Sequence, residues 1–584
     1  MQSETRTCQN CKQDFRIDTE DFAFYEKMKV PAPTWCPECR MIRRMVWRSD
    51  RFLFRVPDAV TGKEIFSGMS PRIPVKIYEK EYWWSDAWEP MDYGRDYDFS
   101  RPFFEQFRDL MYAVPWPSRN IKDLVDSDYS NNGANLKNCY LCFNLDAAEN
   151  SAYIIDTFQI KECFDITSTT TAELCYDGVA VKDCFKAFYS YTCQQCRDTW
   201  FSRDCIGCSF IFGCANLRNK QYYIFNKPYT KEGYFEELAR ILQDGSYLAL
   251  ESAREKAYEV WRSHPYKYMI SWNNVNVTGD WVVHSKNVKN CFNVVEVEDS
   301  KYCDDTVRAV RDSYDATALG EASELTYDLV GAWWGCRNVK FSFNVWPAVA
   351  YADYSVNCHS STNIFGCMGL RNKSYCIFNK QYTPEEYKIM RDKIIRHMND
   401  MPYTDSMGRI YRYGEFFPPE FSPFAYNETI ANDFFPMTPE DARAQGFLWR
   451  EPEMREFQTT VDAQNLPDRI GDAQDSILKE IIKCMSCGKA YRIIQMELEF
   501  LRDMFLPLPH RCPECRYLAR FSQRNQPRLY ADSCRCKGEG SGMYRNGTAH
   551  PHGIVPCGNT FETSFAPGRP EIIYCEQCYN AEVA

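Results

Sequence analysis

Between residues 121 and 400 the chain alternates short β-branched and aromatic runs with polar turn residues, and this whole pattern occurs twice. Residues 211–230 (IFGCANLRNKQYYIFNKPYT) match residues 364–383 (IFGCMGLRNKSYCIFNKQYT) at an offset of 153, with 15 of 20 identical. Upstream, the run NLKNCY ending at Tyr140 pairs with NVKNCF ending at Phe292, so the duplication takes in both ends of each copy. Each copy is periodic in turn. In the first, Lys137, Lys161, Lys182 and Arg203 each open a cation-polar-Cys-apolar tetrad, at spacings of 24, 21 and 21. In the second, the corresponding runs begin at Lys289, Arg311, Arg337 and Val356, and half-period echoes such as AELCYD and SELTYD fall between. A repeat of roughly 20–25 residues with this composition predicts one coil of a parallel β-solenoid.

Stacked coils bury the same position in every turn. Cys139, Cys163, Cys184, Cys205, Cys291 and Cys358 are therefore expected as a core ladder, with neighbouring Asn and Asp bonding the turn backbone. The competing reading makes a metal site of Cys193, Cys196, Cys205 and Cys208. Each copy ends in a predicted helix that caps its stack. Thr383 with Pro384 and Glu386 supplies an N-cap, a first-turn proline and a capping box, and Thr230 starts the equivalent helix, followed by a second through Trp261. The tract from Glu415 to Phe435 carries too much aromatic surface to remain a solvated linker and is expected as a strap over other parts of the chain.

Cysteine pairs flank the repeats. Cys8, Cys11, Cys36 and Cys39 read C-x2-C-x24-C-x2-C, and so do Cys484, Cys487, Cys512 and Cys515. A shift of 476 superimposes the two modules without a gap, with 13 of 33 positions identical. Four thiolates in two knuckles suit tetrahedral zinc, and a module this small needs the metal as a staple. Both are expected as treble-clef or zinc-ribbon units whose second knuckle opens a helix. Arg40, Arg43, Arg44, Arg48 and Arg51 follow the first module at helical spacing, and Arg516, Arg520, Arg524 and Arg528 follow the second, with Pro527 ending that helix. Such rows could grip phosphates, or could offset the charge of a four-thiolate site and cover apolar neighbours.

A third site is expected near the C-terminus, where Cys534, Cys536, Cys557, Cys575 and Cys578 accompany His550 and His552. The stretch from Cys557 to Tyr579 resembles small bacterial zinc ribbons of the pattern CxxCGKxFxxxFxPxxRPxYCxxCY. That resemblance implies Cys557, Cys575 and Cys578 as ligands. The pattern's first cysteine would fall at Ile554, so the fourth ligand is sought elsewhere: Cys536 first, then Cys534, then a histidine. The expected cofactor is thus Zn2+ at three structural sites.

Composition narrows the function. The 584 residues call for several domains, and 29 cysteines without a recognisable export signal or an ~18-residue apolar run fit a reducing, cytoplasmic setting where close pairs hold metal. A net charge of −11 disfavours a general nucleic-acid coat and confines any such contact to local patches. The seven histidines form no HExxH or triad spacing. Asp146, Asp156, Asp165, Asp177 and Glu173 could pair as in solenoid carbohydrate-active enzymes, although turn roles account for acids in every coil.

The expected architecture is multi-domain and β-rich. A treble-clef module (1–55) and a connecting segment (56–120) lead to two solenoid-like units with capping helices (121–262 and 263–400). The strap (401–470), a second treble-clef module (471–528) and a zinc ribbon (529–584) follow. This order, with the FSPFAYNET stretch at 421–429 and LPLPHRCPECR ending at Arg516, resembles a family of multi-zinc proteins of reduced-genome bacteria, which implies zinc and a cytoplasmic setting. The expected function is non-catalytic binding of a macromolecule: RNA or a ribonucleoprotein through the arginine rows, or alternatively a protein as scaffold or assembly factor, with no membrane role.

Overall fold

The computed structural model describes residues 2–451, 457–540 and 548–583. Two large sheets dominate it, one of nine strands between Ile121 and Pro228 and one of eleven between Ser271 and Gln381. Neighbouring strands pair in parallel until an antiparallel hairpin closes each sheet at Lys227–Pro228 and Lys380–Gln381.

Pairing advances twelve positions per rung: Ala152 pairs with Phe164, Phe164 with Tyr176, and Tyr176 with Phe188. The coil expected from the tetrad spacing therefore spans two rungs, and the half-period echoes mark the true unit. A finer period lies beneath it. Asn135, Asn138, Leu141, Asn144, Ala147 and Asn150 all have φ between 50 and 59°, so every third residue turns left-handed. Asn and Asp tolerate that region best among residues with a Cβ, which explains why they recur at these corners. Backbone bonds tie a corner to the rungs on either side, as where Thr192 N donates to Val179 O at 3.0 Å and the adjoining Tyr191 N to Ser202 O at 2.9 Å.

The residue after each corner points inward. The sixteen buried cysteines from Cys139 to Cys376 occupy such positions, in several columns rather than the one ladder expected. A thiol fits because it is small and still donates. Cys139 Sγ lies 3.5 Å from Lys137 O and 3.4 Å from Ala148 O, and Cys193 Sγ makes the same pair of contacts to Tyr191 O and Ser202 O. Serine substitutes isosterically: Ser151 Oγ donates to Glu149 O and accepts from Cys163 N. Cys193, Cys196, Cys205 and Cys208 are thereby core groups satisfied by backbone carbonyls, and they are not among the metal-competent clusters of the described residues.

In the second sheet some rungs are longer by one position, as where Arg311 pairs with Glu324 and Glu324 with Arg337. The additional residue sits at doubled left-handed corners, Arg308–Ala309 and Glu321–Ala322. Helices Lys231–Leu242 and Tyr247–Ser263 follow the first sheet, and Pro384–Asp400 follows the second, with the Thr383–Glu386 capping box formed. The aromatic tract is buried: Phe416, Phe417, Phe421, Tyr426, Phe434 and Phe435 join the core that contains Trp35 and Trp47.

Candidate metal centres

Among the described residues three four-cysteine groups form, each with its sulfur atoms within 4.8 Å of one another. In the first module the hairpin Glu4–Thr7 and Asp14–Ile17 presents Cys8 and Cys11, and Cys36 caps the helix Pro37–Met45. In the second, Cys512 caps the helix Pro513–Phe521. Cys11 and Cys36 lie 3.7 Å apart, as do Cys487 and Cys512, close to the ~3.8 Å edge of a tetrahedron with zinc–sulfur bonds of about 2.3 Å. The donor sets therefore fit zinc. Burial raises the Cys484 thiol, but the N–H groups of Cys487 and Cys512 outweigh it and bring its pKa down to about 6, favouring the thiolate a metal needs.

The third group corrects the expected ligand order. Cys534, not Cys536, joins Cys557, Cys575 and Cys578. Its setting repeats that of the modules: Cys36 N donates to Cys8 Sγ, Cys512 N to Cys484 Sγ and Cys575 N to Cys534 Sγ, each at 3.2 Å. Cys534 thus occupies the first-knuckle place, and the fourth donor comes from well upstream of Cys557 instead of from an adjacent C-x2-C position. Cys536 belongs to a further group with His550, His552 and Cys578, so four metal-competent groups are present among the described residues where three were expected.

The arginine rows point inward. The two helices end at Met45 and Phe521, so Arg48, Arg51 and Arg524 lie in the turns beyond them, as does Arg528. Arg40, Arg43 and Arg44 are at most 1% exposed. Arg40 pairs with Asp315 at 2.9 Å, Arg43 with Asp328 at 2.6 Å and Glu415 at 3.0 Å, and Arg44 with both Asp315 and Asp328 at 3.1 Å. Arg516 pairs with Asp165 and Glu497, both at 2.9 Å, and Arg520 with Asp165 at 2.9 Å and Asp177 at 3.2 Å. The charge of Arg40, Arg43, Arg44, Arg516 and Arg520, expected as candidates for phosphate contacts, is buried and matched by carboxylates of this chain.

These partners sit at left-handed corners of the sheets, with Asp165, Asp177, Asp315 and Asp328 all at positive φ. The docking is crossed: the N-terminal module lies on the second sheet, and the C-terminal module on the first. Sequence reasoning missed this, although the corner aspartates recur in register with the rungs. Asp156, Asp165 and Asp177, which the sequence allows either turn roles or a carboxylate pair, all face guanidiniums. Burial pushes the Asp165 and Asp328 carboxyls up, against the pull of Arg516 and Arg520 on one and of Arg43 and Arg44 on the other. Asp146 accepts from Asn135, and Glu173 is exposed.

The two modules also touch each other reciprocally. Arg51 pairs with Glu514 at 2.7 Å and Arg528 with Glu38 at 2.5 Å; Glu38 and Glu514 are equivalent under the 476-residue shift. At the centre, Arg48 reaches Asp305 at 2.6 Å and Asp156 at 3.9 Å, and Arg524 reaches Asn293 at 3.0 Å and Asp156 at 4.0 Å. Each of these arginines therefore spans both repeat copies.

No family model matches the chain, and no curated protein does. Among solved structures it aligns with a putative acetyltransferase from Desulfovibrio desulfuricans G20 at 8% identity over 50% of this chain and 86% of that one, with a TM-score of 0.09. That likeness is too slight to bear on fold or activity. Among the described residues no helix is long and apolar enough to cross a membrane.

Proposed function

We propose that this chain is a non-catalytic zinc protein acting as a scaffold: two β-solenoid units locked together by treble-clef zinc modules, with a protein partner on its outer faces. The observation that supports it best is the burial of both arginine rows on corner aspartates. A zinc module that spends its cations inside the molecule works as a clamp. Metal then contributes to function by holding a shape, since zinc binding in small modules is worth roughly 10–16 kcal/mol. The acidic balance of the chain favours a protein partner over a polyanion.

The test is small-angle scattering of the full chain before and after chelation, beside anisotropy of a labelled single-stranded RNA at low salt. The scaffold reading expects expansion on metal loss and no salt-sensitive RNA binding. Unchanged dimensions after complete metal removal would contradict it.

One observation favours a second reading. A cleft of about 520 Å³ is lined by Trp84, Trp334 and Trp346 beside Arg119, Lys122 and Arg308. Trp84 and Trp334 are 38% and 48% exposed, and rings interleaved with cations suit stacked, unpaired bases. Salt-sensitive RNA binding lost in Trp334→Ala and Arg308→Ala would move the partner from protein to RNA and the binding face to this cleft.

A further inference from the structure

Cys578 belongs to two donor groups at once. It completes the third four-cysteine set with Cys534, Cys557 and Cys575, and it also lies with Cys536, His550 and His552, each group within 4.8 Å. One sulfur cannot serve two separate tetrahedra, but it can bridge them. Two tetrahedra sharing one corner need seven donors, and these two groups supply seven.

We propose that the C-terminal centre is a thiolate-bridged pair of metal ions, with Cys578 Sγ as the bridge and the second ion held by Cys536, His550 and His552. This rests on the zinc reading of the third cysteine group and adds an ion to it.

The imidazoles are prepared for that role. His552 directs Nε2 to Cys578 Sγ at 3.2 Å, while its Nδ1 lies 2.6 Å from Val555 O. His550 directs Nδ1 to Cys536 Sγ at 3.9 Å, while its Nε2 lies 2.8 Å from Glu582. Each ring thus offers one nitrogen to the sulfur cluster and anchors the other on an oxygen, the arrangement that fixes the tautomer and orientation of a metal-bound histidine. The two nitrogen–sulfur distances bracket the ~3.5 Å expected between such donors around one zinc.

Burial and charge agree with a bridge. Cys536 is 0%, Cys578 1% and His550 6% exposed, so these polar donors have little access to water. A lone four-thiolate zinc carries a net charge of about −2; adding one ion with one more thiolate and two neutral imidazoles reduces this to about −1. Cys557 N donates to Cys536 O at 2.9 Å, tying the chain segments of the two halves together.

The test replaces zinc with Co2+ in the full-length protein and compares bound cobalt with the spins seen by electron paramagnetic resonance near liquid-helium temperature. A thiolate bridge couples two high-spin ions antiferromagnetically and silences both. The expected result is four cobalt ions per chain and a signal integrating to two. His552→Ala should bind three and raise the signal to three, because the surviving ion has lost its coupled neighbour. Three ions with three spins in the wild-type chain, or four ions with four spins, would overturn the bridge while leaving the three-site zinc reading intact. Fewer than three bound ions would refute both. The wild-type measurement decides even if the variant fails to fold.

Discussion

The two docks carry equivalent chemistry with different residues. In each, an aromatic ring of the module packs on the rungs: Phe24 stacks on Tyr314 at 3.8 Å, and its counterpart Phe500 lies 4.6 Å from Phe164. In each, a tyrosine hydroxyl of the repeats donates to a module carboxylate, Tyr302 to Asp21 and Tyr153 to Glu497, which are equivalent under the 476-residue shift. The differences compensate. Asp21 takes Lys301 at 2.7 Å, whereas the longer Glu497 reaches Arg516 of its own module. Arg43 has Ala519 as its counterpart, and the additional cation in the first dock is met by Glu415 from the aromatic strap. What persists across the duplication is the local charge match, since an unpaired buried charge costs several kcal/mol whichever residue carries it.

Loss of metal should have the largest effect. Cys36→Ser and Cys512→Ser each remove a staple worth on the order of 10 kcal/mol in isolated modules, so each should lose one zinc ion and detach its own helix, measured by metal analysis and limited proteolysis. Retention of all zinc by either variant would break the equivalence of the modules.

Next come the docks. Arg44→Met and Arg520→Met each take one guanidinium from a buried cluster whose carboxylates keep another, Arg40 and Arg43 in the first dock and Arg516 in the second, and should each cost about 3 kcal/mol in urea unfolding, the low end for a broken buried pair. Pairing Arg520→Met with Asp165→Asn should recover much of the loss, since the two are directly coupled. A cost below about 1 kcal/mol for one dock alone would show that it does not clamp.

A smaller effect marks an asymmetry at the centre. Burial, with Asp305 adding to it, pushes Asp304 up to about 7. The folded protein then keeps a proton there that the unfolded chain releases near pH 4. That stability is present below about pH 4 and is lost as pH rises through about 7. Asp304→Asn should flatten this slope and gain about 2–4 kcal/mol at pH 8 relative to the parent. The position equivalent to Asp304 in the first repeat is the apolar Ala152, so no such variant exists there. The smallest effects belong to the reciprocal pairs: Glu38→Gln and Glu514→Gln, both at partly exposed carboxylates, should each cost under about 1 kcal/mol.

Duplication and metal ligands were legible because both are local. Knuckle spacing puts four thiols on one hairpin and one helix start, and repeats of Asn-Cys mark rungs whatever their exact length. The rung itself was harder to read, because inward positions accept Cys, Ser, Thr, Ala, Val and Ile alike and only some rungs bear the tetrad. The arginine rows misled because helical spacing shows that side chains share a face but not what that face meets. Their aspartate partners lie far away along the chain, inside the repeats, at corners where turn propensity already accounts for an acid. The zinc-ribbon pattern expects a close pair before Cys557 and leaves the choice between Cys536 and Cys534 open to spacing alone, whereas the structure draws the fourth donor from Cys534, immediately after the strand Tyr530–Ser533.

Hydrogen exchange on Cys36→Ser and Cys512→Ser decides whether the modules clamp in a crossed sense. Exchange should quicken in Asp304–Gly320 and Glu324–Ala332 when the N-terminal module is lost, and in Phe164–Glu173 and Tyr176–Val179 when the C-terminal one is. Deprotection of the sheet nearer in sequence to each module, or of neither sheet, would contradict the crossed clamp.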